Sequence, residues 1–364
     1  MEFVLSELCE QVVTARAAQR PLMIRGGGTR LFYGGPVPDE GTVSWLDLSA
    51  YQGVVSYEPS ELVLTARAGT PLSEIETVLA ASGQMLAFEP PRFGAAGTLG
   101  GCVASGLSGP RRMAAGSVSD FVLGTRLLNA DGNVLRFGGE VMKNVAGYDV
   151  SRLLAGSLGI LGALVEISLK VAPRPRREAT CVLALDEAAA LAQCLRWRSR
   201  PLPVSATAWV ADDAGTGGML HVRLSGNESA VRMGLEAIGG EHLPDAAADA
   251  FWLGLRDQTH AFFAHRPLWR VVLPAGAPAL GLGPTLHEWG GSLRWLAGTH
   301  DAAALRDHVT RLGGSACLYR REGAPADVPA FQAPADGIMQ IHRRLKREFD
   351  PMGLFNTHRL YPEL

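Results

Sequence analysis

Apolar positions alternate with polar ones in short runs along the first half of the chain and fall at helical spacing only in separate blocks. Leu8, Val12 and Val13 mark one side of a helix over residues 6–20, with Ser6 as its cap. Pro21 then opens a short apolar run, Leu22-Met23-Ile24, that reads as a strand and leads into Arg25-Gly26-Gly27-Gly28-Thr29-Arg30. Further strands are expected at residues 45–48, 54–55 and 62–68, the last with Leu62, Leu64 and Ala66 alternating against Val63 and Thr65. The firmest helix spans residues 70–83: Thr70 as N-cap, Pro71 in the first turn, Leu72, Ile75, Val78 and Leu79 on one face, and Gly83 as the stop.

Between residues 94 and 162 glycine repeatedly interrupts short strands. Leu127-Leu128 and Val134-Leu135 flank Asn129-Ala130-Asp131-Gly132-Asn133, which predicts a hairpin. A strand at 163–171 stops at Pro173-Arg174-Pro175-Arg176-Arg177, which marks a domain boundary. Residues 178–335 mix alanine-rich helical runs, such as 187–195, with strands around Trp209 and 221–224, an α+β texture. Residues 313–336 read as loop, and a last helix over 337–349 precedes the tail Asp350-Pro351-Met352-Gly353-Leu354-Phe355-Asn356. The expected division is therefore 1–172, 178–335 and a closing segment, 336–364.

Composition narrows the chemistry. The 364 residues carry 34 basic and 36 acidic side chains, a net charge of -2, so bulk electrostatics gives no reason to expect nucleic acid. A 47% hydrophobic and 19% charged chain is a folded globular one. No stretch has the apolar length of a membrane span, and the acidic start (Glu2, Glu7, Glu10) does not read as a signal peptide, so cytoplasm is the expected location. Cys9, Cys102, Cys181, Cys194 and Cys317 are scattered without C-x-x-C spacing, which leaves zinc and iron–sulfur sites unsupported.

The 43 glycines point to ligand contact by backbone. Three of them straight after a strand, flanked by two arginines, can present successive N–H groups to a pyrophosphate, although such a run is equally a plain turn when taken alone. No G-x-G-x-x-G opens a helix after a strand, and no G-x-x-x-x-G-K-[ST] occurs, so Rossmann and P-loop sites are both unsupported.

Four segments, taken in order, narrow the field. They are the 25–30 loop; Gly94 to Gly106 with Ser108-Gly109-Pro110-Arg111-Arg112 and Gly116-Ser117; Lys143-Asn144-Val145-Ala146-Gly147-Tyr148-Asp149 running into Gly156-Ser157-Leu158-Gly159-Ile160-Leu161-Gly162; and the 350–356 tail. In these the chain resembles the FAD-binding domain of the vanillyl-alcohol oxidase/PCMH superfamily. Within it the chain is most similar to glycolate oxidase flavoprotein subunits, and among those to the shorter E-type subunit, which Leu268-Trp269-Arg270 also fits. The resemblance implies an α+β fold: a PCMH-type FAD-binding domain of two α/β subdomains, then a smaller α+β domain, with the C-terminal tail returning to the flavin.

It also implies roles. Main-chain N–H groups of Gly26, Gly27, Gly28 and Thr29, between Arg25 and Arg30, would wrap the FAD pyrophosphate. Pro91, Gly97, Thr98, Gly100, Gly101, Ala104 and Ser105 would lie beside flavin and pyrophosphate, with Gly100 and Gly101 allowing close approach. Gly116 and Ser117 would make a second pyrophosphate contact, Gly159, Gly162 and Leu164 would meet the adenosine half, and Asn356 would lie near the flavin pyrimidine. No His precedes His221, so the FAD is expected to be non-covalent and Cys102 a packing residue. The tail continues Thr357-His358 where many relatives have Pro-Gly.

The metal-binding H-x-G-D-G-N-x-H segment of related D-2-hydroxyacid dehydrogenases is absent, and His260/His265 and His300/His308 lack ligand spacing, so no metal is expected. A hydroxyacid needs a cation for its carboxylate; Arg92, Arg111, Arg112 and Lys143 are candidates, and no base is assigned. The expected activity is oxidation of glycolate to glyoxylate by a complex containing a D-type FAD subunit and an iron–sulfur subunit, peripheral to the inner face of the membrane. A free-standing dehydrogenase of hydroxyacids or sugars, and a non-catalytic FAD-stabilised assembly subunit, remain open alternatives.

Overall fold

The computed structural model describes residues 1–38, 41–139, 148–212 and 217–364. These form two compact units, one of residues 1–108, 117–173 and 333–364, the other of residues 109–116 and 174–332.

In the first unit, β1 (Leu22–Arg25) pairs in parallel with β2 (Ser44–Asp47), Leu22 opposite Ser44 and Arg25 opposite Asp47. A separate sheet contains β3 (Val54–Glu58), β4 (Val63–Arg67), β6 (Val122–Leu128), β7 (Val134–Gly138) and β8 (Ala163–Lys170), in the antiparallel order β3-β4-β8-β6-β7. Two short strands, β5 (Gln84–Met85) and β9 (Ala172–Pro173), pair with each other.

The expected alternation in β4 does not appear as burial: Val63, Leu64, Thr65 and Ala66 are all buried. An inner strand covered on both faces hides both sets of side chains. Its one hydroxyl is satisfied across the ladder, Thr65 Oγ1 lying 2.8 Å from Ser168 Oγ. The predicted hairpin forms, with Leu128 opposite Val134 and Asn129 N donating to Asn133 O at 2.9 Å.

Two helix predictions shift. The first helix runs Glu2–Ala17, so Ser6 lies inside it; Leu8 and Val12 are buried one turn apart, whereas Val13, rotated about 100° further around the axis, is 50% exposed. The second runs Leu72–Ala81 with Pro71 as N-cap. Thr70 instead spends its hydroxyl on Arg67 O, at 2.7 Å, and accepts from Gly53 N, at 2.9 Å. Leu72, Ile75 and Leu79 face the core as expected.

The second unit is built on one antiparallel sheet. Its strands are β10 (Arg177–Ala184), β11 (Val204–Ala211), β12 (Gly218–Gly226), β13 (Glu241–Leu243), β14 (Leu268–Val272), β15 (Thr285–Glu288), β16 (Leu293–Ala297) and β17 (Ser315–Arg320), in the order β13-β10-β12-β11-β15-β16-β14-β17. β17 falls in the stretch expected to be loop. Its apolar run is short and set among glycines, but Ala316, Cys317, Leu318 and Tyr319 are buried and the strand pairs with β14.

Helices Glu187–Arg198 and Glu228–Ile238 contribute to one apolar core with Trp209, Val222 and Leu224. Helix Ala302–Arg311 contributes to another with Trp269, Val271, Leu296 and Leu318. Each of the three starts at a side-chain cap: Asp186, Asn227 and Asp301 accept from Ala189 N, Ala230 N and Ala304 N.

Candidate functional site: a backbone-lined cleft in the first unit

Where β1 ends, the chain turns at Gly26-Gly27-Gly28 and enters the wall of a cleft with about 810 Å³ of non-atom space, its open mouth included. Glycine is required here by geometry. A Cβ on Gly27 would stand 1.6 Å from Ala96 O, and Gly28 has φ of +70°. The close approach of the loop to residues 96–98 is therefore fixed by protein packing, and it leaves the loop backbone bare.

Among the described residues, the N–H groups of Gly26, Gly27, Gly28 and Thr29 donate to no protein acceptor. Four consecutive unspent amide donors in a cleft wall form a site for an anionic oxygen-rich group such as a pyrophosphate. Positive charge flanks them. Arg25 Nε lies 2.8 Å from Asp47 Oδ2 with its guanidinium over Trp45, and Arg30 donates to Thr29 Oγ1 at 3.3 Å and to Pro91 O. Burial would raise the Asp47 carboxyl, but hydrogen bonds from Ser49 and the Arg25 guanidinium hold it below the ordinary carboxylate value.

Helix Leu99–Ser105 forms another side of the cleft through Gly100, Gly101, Ala104 and Ser105. Its first amides are already used: Leu99 N donates to Thr70 O, Gly100 N to Ala68 O and Gly101 N to Thr98 Oγ1. This helix start thus offers a surface, while the 26–29 loop offers the donors. A Cβ on Gly100 would lie 2.8 Å from Ala68 Cβ, so the bare position lets the helix rest on the strand behind it.

The C-terminal tail closes the remaining wall. Asn356 Oδ1 accepts from Ile24 N at 2.7 Å, its Nδ2 donates to Leu158 O at 2.6 Å, and its N–H donates to Leu22 O at 3.0 Å. One side chain thereby joins β1 to the Leu158-Gly159 turn. Arg359 donates to Leu31 O and Tyr33 O at 2.8 and 2.9 Å, fixing the segment that follows the glycine loop. Behind the tail, Lys346 Nζ is buried among Ile160 O, Phe355 O and Asp350 Oδ2 at 2.7, 2.9 and 2.6 Å.

Of the residues the sequence singled out, Arg25, Gly26, Gly27, Gly28, Thr29, Arg30, Thr98, Gly100, Gly101, Ala104, Ser105, Gly159, Gly162, Leu164 and Asn356 line this one cleft. Pro91, Gly97, Gly116 and Ser117 are not among its lining residues. Pro91 O holds Arg30, and Gly97 O accepts from Leu72 N at 2.8 Å. Gly116 closes the short helix Arg112–Ala115, and Ser117 caps the turn Val118–Asp120 through Asp120. The cleft also uses Met23, Ile24, Leu31, Tyr33, Leu48, Ala68, Leu158 and Arg359, which carry no motif. The Lys346-x-x-x-Asp350 spacing, one turn apart on a closing helix, was the available signal for the tail anchor.

The proposed carboxylate-binding cations separate clearly. Arg92 pairs with Glu76 at 3.4 Å, and buried Arg111 pairs with Glu178 at 2.5 Å and Ser225 Oγ at 3.2 Å. Arg112 stacks on Trp289, 4.6 Å from the ring centroid. Lys143 and the run through Gly147 lie outside the described residues. His260 accepts from Phe262 N, and the His265 and His300 rings contact the carbonyls of Phe262 and Ala297. Cys102 is fully buried in its helix, and desolvation pushes its thiol up to about 11, the state of a packing residue.

Comparison with known proteins agrees with this geometry. An FAD binding domain family model matches residues 5–138. Glycolate oxidase subunit GlcE of Escherichia coli (strain K12) is 44% identical over 362 residues, spanning 98% of this chain and 97% of that protein. Glycolate oxidase subunit GlcD of Bacillus subtilis (strain 168) is 32% identical over 174 residues, 48% of this chain and 36% of that one. A solved alkyldihydroxyacetonephosphate synthase superposes with a TM-score of 0.65 at 16% identity, covering 96% of this chain and 74% of that chain, which is a likeness of fold.

Proposed function

The chain belongs to the glycolate oxidase GlcE subunit family, and from that we propose that it is the FAD-carrying E-type subunit of a glycolate-oxidising complex, with the cleft of the first unit as its cofactor site. The observation that carries the reading is the set of four unspent N–H donors at Gly26, Gly27, Gly28 and Thr29 in the cleft wall. They would hold the FAD pyrophosphate, and Arg25 and Arg30 would add positive potential. Gly159, Gly162 and Leu164 would border the adenosine half. Asn356 would hold the wall next to the flavin pyrimidine, with both ends of its amide already bonded to protein.

When bound, FAD supplies acceptance of two electrons from a 2-hydroxyacid and their onward transfer. The chain's part is to bind and orient the cofactor non-covalently. A D-type flavoprotein subunit would be the neighbouring component. The chain has no clustered cysteines to hold an iron–sulfur centre, so electrons leaving its flavin would pass to a separate iron–sulfur subunit or a diffusible acceptor. Among the described residues no helix is long and apolar enough to cross a membrane, and attachment at the inner membrane face would come through the complex.

Co-purification from native extract, with flavin counted per chain and glycolate-dependent dye reduction measured, tests this. One FAD per E-type chain, and loss of dye reduction when this chain's flavin is removed, is the expected result. Full activity with this flavin absent would overturn the electron-carrying role and leave an assembly role. Bleaching of the isolated chain's flavin by glycolate would instead favour a free-standing dehydrogenase.

A further inference from the structure

One imidazole of the second unit is buried without a hydrogen bond. His287, on β15, is 2% exposed, and among the described residues neither of its ring nitrogens has a hydrogen-bond partner. Its Nε2 lies 3.0 Å from Glu187 Oε1, outside hydrogen-bonding geometry. Trp209 stands opposite it on β11, the two ring centroids 5.3 Å apart. Buried polar groups without partners are few in folded proteins, and a neutral imidazole has one donor and one acceptor to satisfy.

A small cavity borders this ring. Ala190 and Cys194 line it from helix Glu187–Arg198, and Thr207 and His287 line it from the sheet. It has room for about one water molecule. The turn after β15 adjoins it through Gly291, where a Cβ would stand 2.3 Å from Leu191 Cδ2. The same turn is tied to the lining, because Gly290 N donates to Thr207 Oγ1 at 2.8 Å.

The polar groups of the lining are uncharged. Burial lowers the His287 pKa against the pull of Glu187, and the charge of Arg294 adds to the fall. Burial also pushes the Cys194 thiol up to about 11, so the sulfur keeps its proton. The Thr207 hydroxyl, which accepts from Gly290 N and lies 3.7 Å from Met113 Sδ, retains a lone pair. Such a set suits a small neutral molecule that both gives and accepts hydrogen bonds. Among the described residues no three His, Cys, Asp or Glu side chains are placed to hold a metal ion.

We propose that this cavity is a binding site for one water molecule, held by the His287 ring with Thr207 Oγ1 or Cys194 Sγ as a second anchor. The water joins helix Glu187–Arg198 to β11 and β15 beside the Trp289-Gly290-Gly291 turn. Space for one water and at least two polar partners are what a buried hydration site requires. The site is independent of the cofactor reading above.

The test is crystallography of the full chain as purified, at a resolution that shows ordered water. A single water peak is expected about 2.6–3.2 Å from a His287 ring nitrogen, within reach of Thr207 Oγ1 or Cys194 Sγ. The peak should remain in His287→Gln, which keeps a hydrogen-bonding group, and be lost in His287→Phe, which has none. A parent cavity without density overturns the site, as does a peak that survives in His287→Phe. Melting temperature gives a second readout that needs no crystals. Cys194→Met places a longer side chain in the cavity and displaces the water, so the melting temperature should fall by roughly 3–8 °C. The same substitution on a His287→Phe chain should cost clearly less, because no imidazole is left without a partner. A rise in the melting temperature of Cys194→Met, as filling a dry gap gives, or an equal fall on both chains, overturns the proposal.

Discussion

Lys346 and Asp350 form a buried ion pair one helical turn apart, Nζ to Oδ2 2.6 Å, and through it the C-terminal tail is fastened to the cleft. Lys346 also donates to Ile160 O and Phe355 O, while the Asp350 oxygens accept from Leu354 N and Phe355 N at 2.8 Å. Burial pushes the lysine pKa down, against the opposing pull of Asp350. Lys346→Met would leave Asp350 buried without its cation. We expect a loss of about 3–5 kcal/mol in urea unfolding, together with lower FAD retention on gel filtration, because Asn356 and Arg359 lie on the released tail.

The glycine loop gives a graded comparison. Gly27→Ala would drive a Cβ to 1.6 Å from Ala96 O, whereas a Cβ on Gly28 meets nothing nearer than Leu31 Cδ1 at 3.8 Å and suffers only from φ of +70°. Gly28→Ala should therefore cost about 1–2 kcal/mol and keep most of its FAD. Gly27→Ala should displace the loop and lose the cofactor. Flavin absorbance per chain after dialysis checks both, and equal retention would show that the loop position does not govern binding.

Arg111 reports on the second unit alone. Its guanidinium is 7% exposed and joins Glu178 and Ser225, which ties residues 109–116 to β10 and β12. Arg111→Met should destabilise the chain by about 2–3 kcal/mol. If the cofactor cleft lies wholly in the first unit, flavin content at low temperature should stay unchanged, and differential scanning calorimetry with flavin quantification separates the two effects.

His221 sets an acid limit. Burial, outweighing hydrogen bonds to the Met219 and Ala208 backbone and aided by the charge of His260, lowers its pKa to about 4 from the ordinary 6.5, and its ring stacks on Phe251 at 3.8 Å. A histidine depressed in the folded state binds fewer protons there than in the unfolded chain. Stability should consequently fall as pH drops from 6.5 towards 4, by about 1–3 kcal/mol. Melting curves across that window check this, and His221→Gln should flatten the slope.

The segments that carry the cleft were legible because they are constrained locally. Three consecutive glycines straight after an apolar run mark a turn in a single sequence, whereas the contact that requires glycine at Gly27, with Ala96 O, and the helix that Thr98 caps emerge only in the fold. Arg359 and Tyr33 were not legible, since nothing in their neighbours distinguishes them from surface residues. β17 was missed for a related reason: four buried residues inside a glycine- and proline-rich stretch give too short a signal, and their partner, β14, lies far away in the chain.

The sequence alone determined the turn at residues 26–28, the hairpin at Asn129–Asn133, the helix bearing Leu72, Ile75 and Leu79, and the family resemblance, because each rests on backbone sterics or on side-chain spacing within one element. Tertiary structure alone decided which glycines serve the cleft and which serve packing, that the amides of Leu99, Gly100 and Gly101 are already spent, and that Asn356 joins β1 to Leu158. It also gave Arg92 and Arg111 their partners Glu76 and Glu178 and set Arg112 against Trp289. Hydrogen-bond partners and charge pairs between residues distant in sequence depend on the folded arrangement, and spacing along the chain does not encode them.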